Sequence, residues 1–280
     1  MTLEKLLSEL HFEIVIEEAV NRKIRKDMRF IKEIANTAYS GDNLSFSLCN
    51  RKPLTRLVVV IYLLTQKYAE YKALGVSDDI ILDTFGDVSL RANLFFKKSG
   101  KIGLKKDDVI WFRHIMNVCI FKIGALQFQK FEMLYLDEAT IGEAYMAFEE
   151  IQKTRLPNGS PVINCHIQRD ADISAVSVEA SFARAKVFFA ECFPAIRYKA
   201  FLCYSWLLYP PMLKRLPEES NIRQFAERFT IIGSCEDSEQ AMENLFDNGK
   251  PNVSQKPTSL QKMAIDHKDI LGFGCGIILI

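Results

Sequence analysis

Hydrophobic and polar positions along the chain follow two different rhythms, and the change falls near residue 120. Before it the spacing is helical. Leu3, Leu6, Leu7 and Leu10 share one stripe of a helix over residues 2–10, and Ile24, Met28, Ile31 and Ile34 form a second. The opposite face of that second helix carries Arg22, Lys23, Arg25 and Lys26, which reads as a solvated face. A break at 41–43 precedes a long helix that Pro53 opens and Gly75 stops. Ser77 and, after Gly86, Asp87 stand where they can cap two further helices, the second running to Lys97. A turn at 99–103 feeds a last helix over 106–120. His114 within it reads as a core or boundary histidine, because no acidic or second histidine partner stands at metal spacing.

Beyond residue 120 the period drops to two. Residues 122–131 alternate, with Leu126 and Phe128 on one face and Gln127 and Gln129 on the other, and Gly124 marks a bend or bulge. Thr140 and Glu143 have capping-box spacing for a helix to about Lys153. After a turn at 156–160, a strand over 161–168 is followed by a helix over 174–192 with Val178, Phe182, Ala185 and Phe189 inward. Residues 199–208 are apolar enough for a central strand. Pro210 and Pro211 open a helical stretch that Ser220 restarts; a strand over 228–234 and a helix ending near Phe246 come next. A loop over 247–257, a helix capped by Thr258 and a glycine-punctuated strand over 272–280 close the chain. Strands alternating with helices imply a layered βα sheet. The organisation is thus a helical domain over 1–120 joined to an α/β domain over 121–280. No linker rich in proline or serine separates them, so the halves are expected to pack together.

Composition narrows the setting without naming a reaction. At 280 residues, 49% hydrophobic and 25% charged, the chain can bury a real core. Its net charge of +1 offers no general footprint for nucleic acid. Seven scattered cysteines do not form a secreted disulfide framework, residues 1–10 do not read as a signal peptide, and no apolar run reaches membrane-spanning length. A cytoplasmic setting follows.

Several familiar chemistries are absent. There is no phosphate loop and no dinucleotide fingerprint; Gly272, Gly274 and Gly276 have no room for a helix after them. Ser259 to Lys262 matches S-x-x-K without its companion motifs, and Cys165-His166 lacks a paired C-x-x-C, so no metal is expected. What remains is His166 on one strand, Cys203, Ser205 and Trp206 on the next, and Asn221 at a helix start. Each also has a structural reading, as a core histidine, core packing or a cap.

The run IGALQFQ within 121–129, CHIQ ending at Gln168, the helix over 177–189, FLCYSWLL over 201–208, Ser220-Asn221-Ile222 with Phe225 and Phe229, and PTSLQ over 257–261 form one ordered pattern. It resembles bacterial acyltransferase-domain proteins with a helical amino-terminal domain and a GNAT-like carboxy-terminal domain. The resemblance implies an α+β fold whose GNAT-like mixed sheet carries acyl-CoA as co-substrate, with an unidentified amine as acceptor. In such folds the donor lies where two central parallel strands splay, and its pyrophosphate rests on the start of the following helix. Here the splayed strands are those over 161–168 and 199–208, with the anion site near 175–179. The usual [QR]-x-x-G-x-[GA] signature is missing there, and Asp170 and Asp172 add negative charge. Ser177 and Ser181 are the expected donors to the phosphates, Arg169 or Arg184 the offsetting cation, and Cys203 a further donor-binding group. His166 is the expected base, with Ser205 and Asn221 as polar positioning groups; Tyr204, Ser205 or Tyr209 would protonate the departing sulfur. Strand alternation sets Tyr204 on the face opposite Cys203 and Ser205. The alternative is a non-catalytic binding or scaffold protein that has lost the phosphate site.

Overall fold

The computed structural model describes residues 1–42, 44–246 and 257–280; Asn43 and most of the expected loop over 247–257 lie outside the described residues. The chain divides into two compact units, Met1–Lys122 and Ile123–Ile280.

The first unit is built from helices α1 (Leu3–Glu9), α2 (Ile14–Ala35), α3 (Pro53–Ala73), α4 (Asp78–Ser99), α5 (Lys106–Trp111) and α6 (Arg113–Met116). Two expectations need correction. Asp87 caps nothing: α4 runs through Gly86 because Ile81, Phe85, Val88 and Ala92 continue one buried stripe across it. The Asp87 carboxylate instead accepts from Trp111 Nε1 at 2.7 Å and Arg91 Nε at 3.1 Å. The helix expected over 106–120 ends at Met116, after which Val118 takes a left-handed backbone (φ 52°) and strand β1 (Ile120–Ile123) begins. The buried Tyr71 hydroxyl ties that corner, lying 3.3 Å from the Ile115 carbonyl and 3.0 Å from that of Ile120. Gly103 is obligatory: at φ +134° an added Cβ would sit 2.1 Å from the Pro53 carbonyl carbon.

The second unit continues with β2 (Leu126–Glu132), α7 (Glu138–Ile141), α8 (Glu150–Arg155), β3 (Pro161–His166), α9 (Ala175–Cys192) and β4 (Ala200–Ser205). Then follow α10 (Pro210–Leu213), α11 (Asn221–Ala226), β5 (Thr230–Cys235), α12 (Glu239–Leu245), α13 (Ser259–Asp266) and β6 (Phe273–Leu279). The six-stranded mixed sheet has the order β1-β2-β3-β4-β6-β5. β3 and β4 run parallel, whereas β2/β3, β4/β6 and β5/β6 are antiparallel. Gly124 does not bend a single strand. It turns the chain between β1 and β2 at φ +65°. The capping box expected of Thr140 is also replaced: Asp137 caps α7 through the Thr140 N–H, and the Thr140 hydroxyl accepts from Asn158. α8 has its own capping box, from Glu149 and Gln152.

The sheet has two differently built faces. On one, α9 lays Phe182 against Phe128 and Phe201, with ring centroids 5.4 and 4.9 Å apart, and Phe229 closes from the side at 5.9 Å. On the other, Met133, Tyr135, Met146 and Leu156 from the β2–β3 connection cover Val162, Ala200, Leu202 and Cys275.

Candidate functional site

The seam between β3 and β4 opens partway along. Their pairing runs Val162↔Ala200, Ile163↔Phe201, Asn164↔Leu202 and then stops. Both strands continue: β3 stays paired with β2 as far as His166, and β4 with β6 as far as Ser205. The divergence therefore belongs to this one junction and not to fraying of either strand.

Alternation sorts the side chains around the fork. Val162, Asn164 and His166 share the face covered by the β2–β3 connection, and register places Gln129 opposite Asn164 and Gln127 opposite His166. Gln127, Gln129 and Asn164 are 1, 5 and 7% exposed, so three amides and a half-buried imidazole form a polar inlay in an otherwise apolar face. His166 Nε2 lies 2.8 Å from Gln129 Oε1. An amide oxygen only accepts, so in this contact His166 Nε2 is the donor. Asn164 Oδ1 is buried and receives no hydrogen bond. Tyr204 lies on the same face; its hydroxyl donates to the Leu134 carbonyl at 2.7 Å, and burial first, then the nearby Cys275, raises its pKa so that it keeps its proton.

The remaining sequence-predicted residues fall elsewhere. Ser205 and Cys203 point to the α9 face, so His166 and Ser205 are not brought together; Tyr204, between Cys203 and Ser205 on β4, points to the opposite face. The buried Ser205 hydroxyl accepts the Leu207 N–H at 3.2 Å, capping the short turn that follows β4. Cys203 is fully buried, and its hydrogen bond with Cys165 together with that burial raises the thiol well above its ordinary value, so no thiolate forms there. Asn221 is exposed at the first position of α11, on the α9 side.

The start of α9 is already answered by charge. The Asp172 carboxylate accepts from the Ser177 hydroxyl and from the Ser174 N–H at 3.0 Å, and these bonds, the Ser177 one first, hold its pKa below the ordinary value. Ser181 is wholly buried, donating to the Ser177 carbonyl at 2.7 Å and accepting the Ala125 N–H at 2.9 Å, so it fastens the β1–β2 turn to α9. Arg184 is exposed nine residues into the helix, about 13 Å along its axis from Ala175. The cation at the first turn is instead Arg228, which pairs with Glu179 and donates from Nη2 to the Ala175 carbonyl at 3.0 Å. No local pattern announces Arg228, because its partners lie about 50 positions away in the chain. Gln127 and Gln129 carried a readable signal, alternation, but only the covering segment shows that their face is interior.

An open cavity of about 690 Å³ lies in that covering segment, with the Asp137–Lys153 ion pair (2.7 Å), Tyr145 and Phe148 in its wall. Among the described residues no cluster of His, Cys, Asp or Glu could hold a metal ion, and no helix is long and apolar enough to cross a membrane.

Residues 120–271 match the family described as GNAT-like C-terminal domain, and residues 1–118 match the N-acyltransferase N-terminal domain. No curated protein matches in sequence. Among solved structures, an acyltransferase in complex with decanoyl-CoA and teicoplanin is similar over 99% of this chain and 87% of its own, at 17% identity and a TM-score of 0.74. A mutant acyltransferase in complex with octanoyl-CoA gives 18% identity over the same shares, again with a TM-score of 0.74. At such identities the likeness is one of fold.

Proposed function

We propose that this chain, which belongs to the family built from an N-acyltransferase N-terminal domain and a GNAT-like C-terminal domain, transfers an acyl group from an acyl-CoA thioester to an amine. The observation that carries the reading is the fork in the sheet, where β3 and β4 part after Asn164 and Leu202 although both strands run on. Strand edges released in this way can pair with the two amides of a pantetheine arm. The acyl-CoA ligands of the structural neighbours support that occupant.

The chemistry asks little of the protein beyond position and proton transfer. The amine nitrogen forms a bond to the thioester carbonyl carbon, and the carbon–sulfur bond breaks with its electron pair leaving on sulfur. His166, whose Nε2 is hydrogen-bonded to Gln129, takes the surplus proton from nitrogen at Nδ1. The imidazolium then gives that proton to the departing thiolate, while the Tyr204 hydroxyl on the same face, held protonated by burial, keeps its bond to the Leu134 carbonyl. The start of α9, with Arg228 at its first turn, is the proposed anchor for the pyrophosphate, in competition with the Asp172 carboxylate.

Calorimetric titration with acetyl-CoA and octanoyl-CoA, followed by measurement of free thiol released with a panel of primary amines, tests the reading. Saturable binding and amine-dependent thiol release are expected. Absence of binding by both thioesters would overturn it.

A further inference from the structure

Asn164 occupies the last paired position before the fork, and its side-chain oxygen is the one polar group of the inlay recorded as buried without a partner. Such an atom costs stability in the folded chain unless something donates to it. We propose that Asn164 Oδ1 is the docking point for the acceptor's amine: it accepts one N–H of an incoming primary amine and so aims the nitrogen lone pair at the carbonyl held in the fork. This rests on the acyl-transfer reading above and specifies the acceptor side of the same site, as a primary aliphatic amine entering neutral.

Three observations converge on an N–H donor at this point. First, the group needing a partner is an acceptor, so it selects N–H over a carbonyl or carboxylate. Second, Asn164 and His166 are two positions apart on one strand, and hence on one face, with Gln129 bonded to His166 and directly opposite Asn164. An attacking primary amine has two N–H groups to satisfy; one is held by the amide oxygen, and the other is the proton that passes to the imidazole as the N–C bond forms and the C–S bond breaks. Third, a pantetheine amide is the other available N–H donor, but it would lie along the released strand edges, in the plane of the sheet. The Asn164 side chain stands out of that plane, on the face where the base is.

The test replaces Asn164 with leucine, which keeps the branched shape and removes the polar atoms, and separately with alanine. Octanoyl-CoA is the donor and n-hexylamine the probe. In the parent protein hexylamine is expected to accelerate thiol release to a saturating rate. In Asn164→Leu the KM for hexylamine should rise, or kcat fall, by about tenfold or more, while the Kd for octanoyl-CoA stays within about twofold. Thermal unfolding supplies a readout that needs no activity: with the orphaned oxygen gone, the leucine variant should melt at or above the parent temperature. Asn164→Ala should show the same kinetic split if leucine crowds the site.

Several results would overturn the inference. Unchanged hexylamine kinetics in both variants would remove Asn164 from the reaction, and a lower melting temperature in the leucine variant would make the side chain structural. Weakened octanoyl-CoA binding with unaltered amine kinetics would assign the oxygen to the pantetheine arm. A parent that binds octanoyl-CoA but shows no hexylamine-dependent release would refute the acceptor class while sparing the donor site. Failure of the parent to bind octanoyl-CoA at all would instead sink the acyl-transfer reading beneath it.

Discussion

The two faces of the second unit's sheet use the same strands for opposite purposes. Against α9, Phe128, Phe182, Phe201 and Phe229 interlock edge to face, and the buried hydroxyls of Ser181 and Ser205 are each answered by nearby backbone. On the opposite face, one residue further along each strand, Gln127, Gln129, Asn164 and His166 bring amides and an imidazole into the interior. There one acceptor is left open. A face packed by aromatic rings holds the sheet; a polar inlay with an unmet acceptor costs stability unless a ligand completes it. Alternation lets a single strand serve both, because neighbouring residues never compete for the same space.

Substitutions on the two faces should therefore separate stability from activity. The largest effect is expected at His166. His166→Gln should lower amine-dependent thiol release by about 10²–10⁴-fold while octanoyl-CoA still binds; turnover within a few-fold of the parent would remove the imidazole from the proton path. Phe182→Ala, across the sheet, should cost about 3–5 kcal/mol in denaturant unfolding, since it empties the centre of the aromatic interlock. A loss near zero would mean that the α9 face is not the structural one. Ser205→Ala should cost about 1 kcal/mol, the worth of a lost cap, and leave thiol release unaltered; a selective loss of turnover would bring Ser205 back into the reaction. The smallest change is expected from Asp172→Asn. Removing a carboxylate from the start of α9 should tighten octanoyl-CoA binding about two- to fivefold, and weaker binding would argue against a pyrophosphate there.

Local pattern made much of this architecture readable. The spacing of Val178, Phe182, Ala185 and Phe189 announced α9 and its buried side, and all four are buried. Thr258 announced the start of α13, where its side chain accepts the Gln261 N–H. The apolar run within 199–208 marked β4 as central, which it is. Capping chemistry misled where tertiary partners outbid it. Asp87 was drawn into bonds with Trp111 and Arg91, and Thr140 was approached by Asn158, so neither residue begins a helix. Within the proposed site the sequence signal was uneven. His166 stood out by its chemistry, but its companions did not, since Gln127 and Gln129 look like any solvated strand edge and Arg228 meets Glu179 only across the fold.

By itself the chain's hydrophobic rhythm determined which segments are helices, which are strands and which side of each seeks the interior, because those choices rest on periods of 3.6 and 2 that act within a few residues. Tertiary structure alone decided that β3 and β4 part after Asn164, that a polar strand face is buried and that His166 and Ser205 stand on opposite sides of the sheet. These depend on register and on what covers each face, and both are set by contacts between residues far apart in the chain.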